Sequence, residues 1–305
     1  MKFYGVKRIQ GREKRIEIRV LRYFMETAKE GSMTRAAENL HVTQPTLSRQ
    51  LKGLEEELGQ KLFIRGNYNI HLTEEGKILY KRAEDILSMV DKTAAEFEMM
   101  NDFDGGDIYI GCAESEGMSY VAKAIREVQM RFPKIQYHLY SGNAERVTER
   151  LDKGLLDFAV VVQNVDVSKY AHLEIPYRDN WGLIMRKDSP LVAKNVIELD
   201  ELLELPLILS RQGITSELPD WFRKNKEKLN VAATYDLLFN ASILVREGVG
   251  YALGFDKLIH TGSDSILCFR PIHPAMESPM RIIWKHNQVF SREAEIFLKE
   301  LKNFL

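Results

Sequence analysis

SMTRAAENLHVTQPTLSRQLKGLEEEL, from Ser32 to Leu58, decides how the rest of the chain is read. It reads as two helices with a short turn at His41-Val42. In the first, Ala36, Ala37 and Leu40 recur at helical spacing. Thr43 suits the N-cap of the second, and Pro45 falls in its first turn, where a missing N–H costs little. Leu47, Leu51, Leu54 and Leu58 step 4, 3, 4 and form one apolar stripe. Pro45, Ser48, Arg49 and Lys52 fall on the other side, which is small, polar and basic. A DNA major groove, about 12 Å wide, admits such a helix with its first turns against base edges and phosphates. The same pattern also describes a plain helical hairpin with a solvated outer face.

The longer stretch SMTRAAENLHVTQPTLSRQLKGLEEELGQKLFIR resembles the N-terminal helix-turn-helix of the LysR-type transcriptional regulators. The resemblance rests on the Ala-Ala pair, the Thr-Gln-Pro opening, the Ser-Arg-Gln-Leu core and the Leu-Glu that follows. Leu-Phe-x-Arg at Leu62 to Arg65 and Leu-Thr-x-x-Gly at Leu72 to Gly76 continue it. It implies a winged helix-turn-helix over residues 16–73 that binds double-stranded DNA. The residues expected at the DNA are Thr34 and Arg35, then Thr43, Gln44, Pro45 and Thr46, then Ser48, Arg49 and Lys52, with Arg65 from the wing. The wing is a hairpin over Phe63 to Leu72 with Gly66-Asn67 at its turn. Its tip carries Tyr68 and Asn69 where the family is usually richer in Arg. Ahead of this domain, residues 1–15 read as a basic extension, disordered or non-native, with an extra arm on the DNA backbone as the alternative.

Composition sets outer bounds. A chain of 305 residues suggests two or three domains. Net charge is −1, so DNA affinity has to come from a local basic patch. No apolar run is long enough for a membrane span, and no signal-peptide core is present, so a cytoplasmic protein is expected. Two cysteines, Cys112 and Cys268, read as buried reduced thiols rather than a redox pair.

Beyond the reading head, Ile16 to Lys29 carries the helical stripe Leu21, Phe24, Met25 and Ala28, expected to pack beneath it. Thr73 caps a helix, with Glu74 and Glu75 at the positive end of its dipole. Residues 74–101 would span about 40 Å. Leu79, Ala83, Ile86, Val90, Thr93, Phe97 and Met100 alternate steps of 4 and 3, a heptad seam. Such a seam wants a partner chain, with packing on its own domain as the alternative. The resemblance makes this a linker helix and implies a homodimer, and a homotetramer through the effector domains. RNA polymerase is a further possible partner.

The turn-rich Asp102 to Asp107 closes the linker. From there the pattern alternates strand and helix. Asp107 to Cys112, Ile135 to Tyr140 and Asp157 to Val162 read as strands, with helices at Met118 to Phe132 and Ala144 to Lys153 between them. That is a parallel β-α-β-α-β unit. A second set has strands at Gly182 to Met185, Leu207 to Leu209, Ala233 to Leu238 and Tyr251 to Gly254. Its helices lie near Glu198 to Leu203, Leu218 to Leu229 and Ala241 to Glu247. Ile266 to Phe269 and Met280 to Lys285 return as strands, and Ser291 caps a final helix. The class is therefore α+β overall: winged helix-turn-helix, long helix, then an α/β domain over residues 105–305. Two Rossmann-like subdomains are expected, one over about 107–175 and 272–305, the other over about 176–271. They would be joined by crossings near Ile175-Pro176 and Pro271-Ile272. The resemblance makes this a periplasmic-binding-protein-like effector domain.

Ligands of such folds sit beyond the C-terminal ends of the strands. The first strand ends at Glu114, Ser115 and Glu116. In the family this loop offers a hydroxyl and backbone N–H groups to a small ligand, and Ser115 stands at the matching place. Asn143 and Ala144 open the next helix, where relatives often carry Thr. Gln163, Ser210, Arg211 and Phe255 end other strands and complete the expected effector site. Glu114 and Glu116 argue against a compact anion, with Arg211 as their offset. No cofactor or metal is expected: the seven histidines show no ligand spacing. Gly248-Val249-Gly250 ends a helix instead of opening one, unlike a nucleotide loop. No serine sits in a Gly-x-Ser-x-Gly turn, so a regulator is expected over an enzyme or a solute-binding protein.

Overall fold

The computed structural model describes residues 16–65, 69–98, 105–162, 166–211 and 220–305. The basic extension, the Gly66-Asn67 turn with Tyr68, the end of the linker past residue 98 and Gln163 lie outside the described residues. The chain divides into two compact units between residues 95 and 96.

The first unit holds α1 (Ile18–Glu30), α2 (Met33–Asn39), α3 (Gln44–Leu58), strands β1 (Phe63–Arg65) and β2 (Ile70–Leu72), and α4 (Glu74–Glu98). Ser32 caps α2 and Thr43 caps α3, each hydroxyl accepting a first-turn N–H, from Arg35 and Thr46. Between them His41 takes the left-handed conformation, φ 53°, and turns the chain. The Leu stripe of α3 is buried against Phe24 of α1 and the Ala36-Ala37 pair of α2. Strands β1 and β2 pair antiparallel, with Phe63 opposite Leu72 and Arg65 opposite Ile70. Gly76 has a packing reason: a Cβ there would come within 2.2 Å of the Leu62 carbonyl oxygen.

The seam of α4 is divided. Ala83 is buried, and Leu79 and Leu87 pack on the core of the same unit. Ile78 and Ile86 stay exposed, at 66% and 40%. The first turns of the heptad thus serve the chain itself, because α4 must cover the open side of a three-helix core too small to close alone.

The second unit begins with β3 (Gly106–Cys112), α5 (Met118–Arg131), β4 (Ile135–Ser141), α6 (Ala144–Asp152) and β5 (Phe158–Val162). β3 lies between β4 and β5, parallel to both, as the alternation of strand and helix requires. The chain then enters β6 (Tyr170–Arg186), a strand of 17 residues. Its first part pairs with β12 (Glu277–Lys285), which in turn pairs with β5. Its last part pairs with β10 (Tyr251–Phe255) and β11 (Leu267–His273), and the short β7 (Ile197–Glu198) pairs in parallel with β11. Both α/β subdomains are hung on this one strand. β8 (Leu207–Ser210) and β9 (Val231–Tyr235) extend the second in parallel from β10. Helix α9 (Arg292–Lys302), capped by Ser291, packs back on the first.

Several elements differ from the sequence reading. The stretch from Tyr170 to Trp181 belongs to β6: Ala171, Leu173, Ile175, Tyr177 and Trp181 face inward and alternate with exposed His172, Glu174, Arg178 and Asn180, a strand period that Pro176 and the inward Asp179 obscure in the sequence. The helix near Glu198 is a 3-10 helix, Leu199–Glu204. The helix expected over Leu218 to Leu229 is α7 (Asp220–Asn225) followed by a 3-10 turn. The strand expected to reach Leu238 stops at Tyr235, and Leu238 opens α8 (Leu238–Arg246). An apolar Leu-Leu-Phe run fits either element; here Leu237 is the N-cap, Leu238 is buried and Phe239 is exposed. The second return lies between His273 and Glu277, just past the expected Pro271-Ile272.

Candidate functional sites: a helix face and a cleft

Two separate surfaces carry the expected residues. On α3, Thr43, Gln44, Pro45, Thr46, Arg49 and Lys52 are exposed, and Ser48 is half-buried. Thr43 and Thr46 join their hydroxyls at 2.8 Å, which holds the first turn. Lys52 pairs with Glu56 one turn on, at 3.7 Å with both side chains open to water, an interaction worth little. Thr34 is exposed on α2, and Arg35 donates to the Glu30 carbonyl oxygen at 2.6 Å. Arg65 lies in β1; its side chain lies outside the described residues.

Glu55 was missed. It reads as part of the charged Glu55-Glu56-Glu57 run, yet it is 4% exposed. Its Oε1 accepts the N–H groups of Leu62, at 2.9 Å, and Phe63, at 3.3 Å, and its Oε2 meets Lys61 at 3.0 Å. Burial pushes its pKa up, but the Leu62 N–H, Lys61 and the Phe63 N–H outweigh that and hold the carboxyl below its ordinary range. Glu55 thereby staples α3 to the wing. Its place one turn after Leu51 was the only local signal.

The second surface is a cleft of about 550 Å³, including space open to solvent, between the two α/β subdomains. Glu114, Asn143, Ala144, Ser210 and Phe255 are among the residues that line it. Arg211 lines an adjoining hollow that also contains Asn143 and Arg146. Trp181, Tyr235, Asp236 and Leu238 line the cleft too and were not foreseen. Trp181 and Phe255 meet edge to face, centroids 4.4 Å apart, and make an aromatic wall. Trp181 was hidden in the unread part of β6, and Leu238 in a helix start read as a strand end.

The structure corrects the orientation of Ser115. The residue is buried, its hydroxyl donates to Asp179 Oδ2 at 2.6 Å, and its Oγ accepts the Gly117 N–H at 3.0 Å. It is not among the residues that line the cleft, because β6 brings the carboxylate of Asp179 beneath the loop. Glu116 is exposed and is likewise absent from the lining. Arg211 does not offset the two glutamates as expected; it lies 3.8 Å from Asp236, which Arg146 approaches to 3.6 Å from the other subdomain. Glu114 reaches across instead: its Oε2 accepts the Leu238 N–H at 2.7 Å.

Neither cysteine is free to react: both thiols are buried, and burial pushes Cys112 up to about 12 and Cys268 upward as well.

Both surfaces have counterparts in one family. Residues 18–77 match the family model described as bacterial regulatory helix-turn-helix protein, lysR family, and residues 101–305 match the LysR substrate binding domain. The chain belongs to the LysR family of transcriptional regulators. The regulator is 29% identical to YvbU of Bacillus subtilis, an uncharacterized HTH-type transcriptional regulator, over 76% of this chain and 79% of that one. It is 26% identical to a probable RuBisCO transcriptional regulator of Trichormus variabilis, over 92% and 86% of the two chains. The crystal structure of full-length CbnR with its target DNA superposes with a TM-score of 0.72 at 19% identity, covering 95% of this regulator and 100% of that chain. At that identity the likeness is one of fold. The regulator is thus a DNA-binding transcriptional regulator with a C-terminal effector-binding domain.

Proposed function

We propose that the outer face of α3 reads operator DNA through its first turns and that a small molecule bound in the cleft between the two α/β subdomains alters this activity. The observation that carries the reading is the exposed, capped and basic start of α3, with Gln44, Pro45 and Thr46 ahead of Arg49 and Lys52. Thr34 and Arg35 from α2 and Arg65 from the wing approach the phosphates beside it. The effector meets Glu114, Asn143, Ala144, Ser210 and Phe255, with Arg211 at the rim. Ser115 acts from beneath, holding the loop that presents Glu114. The regulator works in the cytoplasm as a homodimer joined along α4, and as a homotetramer through its effector domains, with RNA polymerase as a downstream partner. It regulates and does not catalyse.

Arg49→Ala tests the reading head. Operator affinity falls by about 1–3 kcal/mol if Arg49 reads a base, with relaxed specificity at that base, and falls uniformly across sequences if it meets phosphate. A competition gel shift at fixed salt separates the two, and unchanged affinity removes α3 from the groove.

A further inference from the structure

We propose that Glu114 is a resident occupant of the effector cleft: its carboxylate fills the anion seat at the start of α8, so the cleft selects effectors that bring hydrogen-bond donors over those that bring a carboxylate or phosphate. The inference deepens the reading of this cleft as the effector site and rests on it.

Helix α8 starts without a cap of its own. Its N-cap residue is Leu237, whose side chain cannot accept a hydrogen bond. The first N–H groups of a helix need acceptors and favour negative charge. The acceptor for Leu238 comes from 124 residues upstream, on the other subdomain, as Glu114 Oε2 at 2.7 Å. This is where a free anion would otherwise sit. The carboxylate is close enough to its surroundings that, after burial, its charge helps push the Tyr235 phenol above its usual range.

Among the described residues, one N–H at each of two further helix starts is also engaged from within the chain. Asn143 Oδ1 accepts the Arg146 N–H of α6 at 3.0 Å, and Ser115 Oγ accepts the Gly117 N–H ahead of α5 at 3.0 Å. An incoming carboxylate therefore meets a fixed negative charge at the start of α8, with the Leu238 N–H already engaged. An amine, amide or hydroxyl finds acceptors at Glu114 and Asp236, and its apolar body faces Trp181 and Phe255. The Glu114 contact also ties one subdomain to the other, in parallel with Arg146 and Asp236.

Chemical rescue tests the seat. Glu114→Ala removes the equivalent of one acetate ion. In the full-length protein, E114A unfolds several degrees below wild type in thermal melts. Acetate in the range of about 10–100 mM restores most of that loss, and acetamide does not, because only the anion refills the seat. Wild type and Glu114→Gln, whose seat stays filled, do not respond to acetate beyond a chloride control. A wild-type melting point for E114A, or an equal acetate shift in all three proteins, overturns the proposal. Should E114A not fold in plain buffer, its refolding yield in acetate against acetamide reads the same seat, and equal yields overturn it. These measurements involve neither DNA nor effector. A failed rescue with intact operator binding refutes the seat alone, whereas wild type that binds no duplex specifically refutes the regulator's reading head and leaves the acetate result standing.

Discussion

Asp179 couples the stability of the effector unit to pH. It is 1% exposed, on the part of β6 where the chain passes from one subdomain to the other. Ser115 donates to its Oδ2 at 2.6 Å, and its Oδ1 has no hydrogen-bond partner among the described residues. Burial is the main cause of its raised pKa, from 3.8 to about 6. Glu116 adds to the rise, against the Ser115 bond and Lys257. The folded state therefore holds a proton that the unfolded chain has lost. Stability is unaffected below pH 3.8, falls as pH rises from there to about 6, and levels off above. The fall attributable to this one group is on the order of 2–3 kcal/mol. Asp179→Asn removes that slope and leaves the unit more stable than wild type near pH 7. Denaturant melts of both proteins across this window check it, and parallel pH profiles would clear Asp179 of the role.

At the scale of elements, the reading head depends on how α3 meets the wing. The Leu47, Leu51 and Leu54 stripe seats the helix on its core, but Glu55 sets where β1 starts relative to it. Glu55→Ala leaves the buried N–H groups of Leu62 and Phe63 without this acceptor and costs about 2–4 kcal/mol of the stability of the first unit. Glu55→Gln keeps an acceptor oxygen and costs less. Because the folded carboxyl titrates below its ordinary 4.5, its contribution is complete above that pH and is lost as acid protonates it. Thermal unfolding of the two variants ranks them, and equal stability of Glu55→Ala and wild type would refute the staple.

For the whole molecule, net charge gives no general attraction to DNA, and the proposed homodimer would add a second reading head at a fixed spacing. The face of α4 that carries Ile78 and Ile86 stays exposed after Leu79, Ala83 and Leu87 have packed inside the unit. Ile86→Asp places a charge in that face and, against a partner helix, carries a desolvation cost that separates the pair. Sedimentation of the variant then gives a smaller species than wild type with the same circular dichroism. An unchanged mass with intact folding would refute α4 as the joining element.

The reading head was legible because its signals are local. Caps at Ser32 and Thr43 and the step of the leucines each act within one or two turns, and periodicity records them directly. The alternation of strand and helix likewise dictated the parallel order of β3, β4 and β5. What the tertiary structure decided was which polar groups in the cleft are already engaged. Ser115 and Asp179 stand 64 residues apart, and Glu114 and Leu238 stand 124 apart. No local pattern encodes such a pair. Each forms only because β6 carries the chain from one subdomain to the other and brings a carboxylate under one loop and a helix start above it.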